Sequence, residues 1–191
     1  MDLLTFLLQS PDLSDRASGE RFASEWSIKR IEKGTHIIRQ EEPETNEFIL
    51  LEGCFASRIY DPGGLEVCVG LYVGPNVLTP NIARTRDSLS IVEVEAVTDA
   101  TIARMDRDKL LSLMLASEPV RDWANGVLRK ELSHKADREW CLAALGGSDR
   151  LAWFRERFPG YEEIFGHSLI ASFLGMTPVT LSRLRSQERR R

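Results

Sequence analysis

The hydrophobic pattern changes period twice along the chain. Leu3, Leu4, Leu7 and Leu8 mark one face of a short N-terminal helix that Pro11 limits, and a second helical piece is predicted from Ser14 to Ala23. From Ser27 the helical spacing gives way to short β-type runs: SIKRI, THIIRQ, EFILLEG, CFASRIY, LEVCVGLYV, LSIVEVEAV and ATIARM. Turn signals separate them at Lys33-Gly34, Glu41 to Asn46, Asp61 to Gly64 and Gly74 to Asn81. Closely spaced strands of this kind describe a β-barrel or jelly roll of about eight strands. It would occupy residues 27 to 106.

After Met105 the pattern becomes helical again. Asp106 is placed to cap a helix bearing Leu110, Leu111, Leu113 and Leu115, and Glu118-Pro119 opens a longer one running to about Leu145. Along it Val120, Ala124, Leu128, Leu132, Ala136 and Trp140 recur every four residues, flanked by Trp123 and Val127. Arg121, Arg129, Lys130, Glu131 and Glu139 make the charged face. The stripe buries itself either against a second copy of the helix or against its own barrel. Gly146-Gly147-Ser148 reads as a linker, with Ser148 and Asp149 capping a helix that carries Leu151, Trp153, Phe154 and Phe158 and ends at Pro159-Gly160.

The stretch HSLIASFLGMTPVTLSRLRS, residues 167 to 186, has the residues of a helix-turn-helix. Ile170, Ala171 and Leu174 form the inner face of a first helix, and Gly175 supplies the positive φ that a sharp turn needs. Thr177 stands at an N-cap, Pro178 at the first helical position, and Leu181 and Leu184 return to the inner face. Val179, Ser182, Arg183 and Ser186 are left facing outward. In such a pair the second helix enters the major groove, where arginine reads guanine and hydroxyls hold phosphates. Arg183 is the candidate base reader, Thr177, Thr180 and Ser182 are candidate phosphate partners, and Arg185 a candidate contact insensitive to sequence. Helix pairs around a glycine also occur in domains that bind no DNA. Charge favours the DNA reading: residues 183 to 191 carry +4, leaving −8 on the rest of a chain whose net charge is −4.

Composition excludes several classes. With 191 residues, 42% of them hydrophobic and 28% charged, the chain is long enough to bury a real core. It shows no signal-peptide pattern and no uninterrupted apolar run of membrane-spanning length, so a cytoplasmic location with no membrane partner is expected. Cys54, Cys68 and Cys141 are scattered and odd in number, which predicts buried thiols rather than disulfides, zinc or an iron–sulfur cluster. His36, His134 and His167 sit in different elements and are expected to pack rather than ligate haem. No hydrolase, protease or nucleotide-phosphate motif occurs, so an enzyme is not expected.

The order of elements carries a resemblance. Lys33-Gly34, Leu51-Glu52-Gly53, the Asp61 to Gly64 hairpin and Thr98-Asp99, followed by a long helix and a C-terminal helix-turn-helix, look like a regulator of the Crp/Fnr superfamily. The resemblance implies an α+β fold: a cyclic-nucleotide-binding barrel over 1–117, a dimerisation helix over 118–145, and an all-α DNA-binding domain over 146–191, here without a substantial β-wing. It also implies a homodimer that binds double-stranded DNA, with RNA polymerase as a candidate contact. The dimer interface would be Val120, Trp123, Val127, Leu128 and Leu132.

The ligand cassette departs from that family. Gly74-Pro75 stands where cyclic-nucleotide binders carry Gly-Glu, and the phosphate-neutralising arginine position falls near Ser90. A buried phosphate without charged partners is costly, so cyclic AMP is disfavoured and no cofactor is expected. Gly74, Asn76, Val77, Leu78, Arg84, Arg86, Ser88 and Ser90 are the candidate effector-pocket residues, with Arg84 and Arg86 expected as solvated loop charges. The expected function is a homodimeric DNA-binding regulator without the usual cyclic AMP cassette. The alternative is a small-ligand signalling module that acts through protein contacts.

Overall fold

The structure, a computed structural model, describes residues 1–13 and 15–188. Ser14 and the arginines at 189 to 191 lie outside the described residues, and with them part of the predicted basic end. The chain begins with α1 (Leu3–Leu7), a 3-10 turn at Pro11–Leu13 and α2 (Arg16–Ser24). Asp2 and Asp15 accept the first-turn amides of Thr5 and Ser18, both at 2.9 Å, so each short helix carries an N-cap.

Two four-stranded antiparallel sheets follow. One runs β1 (Ser27–Ile31), β10 (Ala100–Asp106), β3 (Asn46–Glu52), β6 (Asn76–Val77), and the other β2 (His36–Ile38), β9 (Glu93–Ala96), β4 (Cys54–Tyr60), β5 (Glu66–Val73). Their facing sides enclose Ile38, Phe48, Leu50, Phe55, Val94, Ala96 and Ile102. The alternation of β3 explains its unbroken apolar run. Phe48 and Leu50 point into the barrel, while Ile49 and Leu51 face outward onto a cluster with Leu7, Phe22, Trp26, Leu110 and Trp123. Both faces of the strand are buried, so no polar position survives between 48 and 51.

Gly53 makes the turn from β3 to β4 feasible. Its φ is +93°, and a Cβ there would collide with the Asp99 carbonyl and Ala100. The predicted strand LSIVEVEAV is broken in the structure. Leu89–Ser90, here β8, pairs with β7 (Thr85–Arg86) in a small separate hairpin, and the sheet strand resumes at Glu93. Asp87 and Ser88 turn that hairpin at φ of +52° and +65°. The short helix α3 (Asn81–Arg84) precedes it.

Asp106 caps α4 (Arg107–Ala116) by accepting from Asp108 at 2.9 Å and Lys109 at 3.2 Å, as its place in the sequence predicts. The long helix α5 covers Glu118–Ala144. The expected glycine linker is shorter than its sequence suggests: α6 (Gly147–Arg157) starts at the second glycine, its N-cap is Gly146, and Ser148 and Asp149 lie inside its first turn. Arg150 explains the tight corner. Its guanidinium donates to the Leu142 and Leu145 carbonyls at 2.8 and 2.9 Å, satisfying orphan acceptors at the end of α5. Then come α7 (Tyr161–Ile164), α8 (His167–Phe173) and α9 (Pro178–Glu188), and among the described residues no strand follows Asp106.

These last helices do not stand apart from the barrel. Leu151, Phe154, Phe165, Ile170, Phe173, Leu174 and Leu181 form one apolar cluster with Cys54, Ala56, Cys68 and Leu71 on the outer face of the second sheet. The small side chains at 54, 56 and 68 let α8 lie close against β5. Directed bonds accompany the packing: Ser172 Oγ accepts from the Cys68 amide at 2.8 Å.

Candidate nucleic-acid interface and sensor cavity

The helix pair is set by its turn. Met176 donates its amide to the Ala171 carbonyl and Gly175 to Ser172, each at 3.0 Å, with Gly175 at φ +62°. That is a Schellman ending to α8, and it requires a residue tolerant of the left-handed region. The predicted N-cap is realised in α9, where Thr177 Oγ1 accepts from the Thr180 amide at 3.1 Å and Pro178 opens the helix. Leu181 is fully buried against α8 and α6.

With Leu181 inward, α9 presents Thr177, Pro178, Val179, Ser182, Arg183, Ser186 and Gln187 to solvent. Val179 is 71% exposed. Thr180 is half-buried and its hydroxyl lies 3.0 Å from that of Thr177. Arg185 departs from the expected free phosphate contact. It sits 2.7 Å from Glu162 and its Nη1 donates to His167 Nδ1 at 2.7 Å, so its charge is spent tying α9 to α7 and α8. His167 in turn contacts the Pro178 carbonyl through Nε2 at 2.7 Å. Burial alone would raise the Glu162 carboxyl, but hydrogen bonds from Arg155 and Arg185 outweigh it and hold the group below the usual range.

A cavity of about 610 Å³ lies between the second sheet, α5 and the C-terminal helices. Ser57, Tyr72, Arg84, Glu131, Arg138 and Phe173 are among its walls. The expectation that Arg84 is a solvated loop charge is corrected: it is only 1% exposed. Helix α3 turns the side chain inward, where Nη1 donates to the Thr79 carbonyl at 2.7 Å and Nη2 to that of Asn46. Glu47 and Glu44 lie 3.7 and 3.9 Å from the guanidinium and offset its charge, while Nε is buried without a hydrogen-bond partner. Burial pushes the Glu47 carboxyl above its ordinary value even beside Arg84.

The other candidate pocket residues are placed elsewhere. Asn76 and Val77 pair with β3, Leu78 fills the barrel core, and Gly74 passes close to the Leu51–Glu52 backbone. Ser90 is buried with its hydroxyl donating to the Val92 carbonyl at 2.7 Å, and Arg86 and Ser88 face solvent on the hairpin. The sequence reading missed Tyr72 and Thr79, whose hydroxyls are 2.7 Å apart, and Glu131, which accepts from Thr79 at 2.7 Å. A helical periodicity of polar residues, Glu131, His134, Lys135 and Arg138, was the available signal for the α5 wall. Burial and the neighbouring charges of Arg157 and Lys130 lower the His134 pKa.

The expected interface stripe divides. Val120 and Trp123 are turned into the protomer's own core, correcting their assignment to a dimer surface. Trp123 packs edge-on against Phe22 and Trp26, with ring centroids 5.2 and 6.4 Å away. Val127 and Leu128 line a largely apolar cleft of about 400 Å³ with Trp26, Ile82 and Met114. Farther along α5, Leu132 and Trp140 are 65% and 56% exposed. Cys54, Cys68 and Cys141 are buried free thiols, as their scatter predicts, and burial pushes Cys68 up to about 11. Among the described residues no cluster of three or more candidate metal ligands occurs, and no helix is long and apolar enough to cross a membrane.

The cyclic nucleotide-binding domain family matches residues 28–117. No curated protein sequence matches the chain significantly. Among solved structures, a CooA variant from Carboxydothermus hydrogenoformans aligns over 100% of this chain and 85% of its own, at 17% identity and a TM-score of 0.74. The c-di-GMP-responsive global regulator CLP from Xanthomonas campestris aligns over 92% of both chains, at 17% identity and a TM-score of 0.73. FixK2 from Bradyrhizobium japonicum aligns over 86% of this chain and 84% of its own, at 18% identity and a TM-score of 0.73. Barrel, long helix and C-terminal helices thus follow one another as in these solved structures, and residues 28–117 are similar to the cyclic nucleotide-binding domain family.

Proposed function

We propose that the chain is a homodimeric, cytoplasmic transcription regulator that binds double-stranded DNA through α9. The observation that carries this reading is the helix-turn-helix itself. A Schellman turn at Gly175 and a Thr177 cap fix two helices, and the second leaves Val179, Ser182, Arg183 and Ser186 exposed along one side. Arg183 is the residue proposed to read a base, with Thr177, Thr180 and Ser182 holding backbone phosphates. Arg185 acts as a brace for α9 rather than as a phosphate contact. Leu132 and Trp140, with Leu128 beside them, replace Val120 and Trp123 as the proposed dimer surface, because exposed apolar side chains on a long helix are what a self-complementary contact buries. The proposed unit boundaries are 1–117, 118–145 and 146–191.

The cavity is proposed not to take a cyclic nucleotide. Of the Lys and Arg side chains that line it, Arg84 is the buried one, and Glu44 and Glu47 already balance it, so a phosphate monoanion beside it would face two carboxylates behind one guanidinium. Selection from a pool of random duplexes at low salt tests the function. Recovery of a sequence-selective site supports the regulator. Failure to enrich any sequence, with intact dimer, would favour a signalling module that acts through protein contacts.

A further inference from the structure

Strand β5 is the edge of its sheet, so its outward backbone groups need partners from outside the barrel. Cys68 finds both beyond the barrel. Its amide donates to Ser172 Oγ of α8 at 2.8 Å, and its carbonyl accepts from Arg138 Nη2 of α5 at 3.1 Å. The same guanidinium donates to the Phe173 carbonyl from Nη2 at 3.0 Å and from Nε at 3.3 Å, and lies 4.7 Å over the Phe173 ring. Arg138 thus joins three elements at one point: the long helix, the barrel edge and the C-terminal end of the first helix of the pair.

We infer that Arg138 is a positioning residue that latches the helix-turn-helix to the barrel and sets the angle at which α9 is presented. The apolar cluster beneath α8 supplies attraction, but apolar contact is non-directional, and the small side chains of Cys54, Ala56 and Cys68 offer few ridges to stop α8 from turning. Charge-assisted bonds to two carbonyls are directional and fix that turn. Arg138 also forms part of the wall of the 610 Å³ cavity, as does Phe173, so the latch stands at the seam between sensor and helix pair. The consequence for DNA rests on the function proposed above, whereas the latch itself does not.

Hydrogen exchange on the full-length protein reads the latch without DNA. In Arg138→Ala, amides in β5 and α8 should exchange about tenfold faster, while those of β3 and β10 in the barrel core keep their protection. Affinity for a selected duplex should fall by at least about threefold, because a loosened pose must be ordered on binding. Arg138→Lys, which keeps charge and a donor, should recover part of both. Unchanged exchange in β5 and α8 would overturn the inference, and so would faster exchange with unchanged duplex affinity. Should Arg138→Ala unfold globally, Ser172→Ala removes the second bond of the same joint and should raise exchange in those two segments alone; no rise there overturns the latch. A parent protein that selects no duplex defeats the proposed function, and the exchange result still decides the latch.

Discussion

Arg185 on the second helix of the pair lies 2.7 Å from the Glu162 carboxylate, with the two side chains 22% and 25% exposed. The pair holds α9 against α7 at a site screened from bulk water. Glu162→Gln should therefore lower stability by roughly 1 kcal/mol at neutral pH. The pH dependence has a definite sign. Because the folded-state carboxyl lies below its reference value of 4.5, its stabilisation is complete above that value and is lost as pH falls through the lower folded value. Melting temperatures between pH 7 and pH 3 check this: the parent should lose more stability than Glu162→Gln over the acid limb.

Gly53 stands at φ +93° with the Asp99 carbonyl where a Cβ would be. Gly53→Ala should cost more than about 2 kcal/mol, combining backbone strain with displacement of the neighbouring strand. Urea unfolding followed by tryptophan fluorescence measures it. A loss below half that figure would mean that the β3–β4 turn relaxes freely.

Trp123 and Leu132 lie on one helix but should behave in opposite ways. Trp123→Ala removes an aromatic packed against Phe22 and Trp26, and should destabilise the protomer by about 3 to 5 kcal/mol. Leu132→Glu alters an exposed position; it should leave the protomer folded and shift sedimentation toward monomer. Dimers that persist in Leu132→Glu would place the interface elsewhere.

Much of the architecture was legible because periodicity reports burial on one face. The strands at 27–31 and 54–60, the Asp106 cap and the Gly175–Thr177–Pro178 turn all follow from local chemistry. What local chemistry does not encode is which partner buries a face. The stripe on α5 reads alike whether Trp123 meets a second copy or its own Phe22, and only the tertiary arrangement chooses. Arg84 illustrates the same limit. A charged residue between Pro80 and the turn at Asp87 looks solvated, yet α3 carries it to a site where Glu44 and Glu47, some 40 residues earlier in sequence, offset its burial. Arg185, expected from the sequence as a DNA contact insensitive to base identity, instead bonds Glu162 and His167.

Base readout is a separate matter from bracing. Arg183→Ala should cost about 1 to 3 kcal/mol at one base pair of the selected site and relax preference there. Arg185→Ala should instead lower the melting temperature and weaken all duplexes together. Competition titrations over single-base variants distinguish the two patterns.

Spacing on the duplex tests the central account most directly. A dimer presenting two copies of α9 must read half-sites one helical turn apart, about 34 Å. Fluorescence anisotropy on the selected site should show affinity collapsing when about five base pairs are inserted between half-sites, a half-turn that carries one site to the opposite side of the duplex. Equal binding to both spacings, or to an isolated half-site, would contradict a symmetric dimer acting through α9.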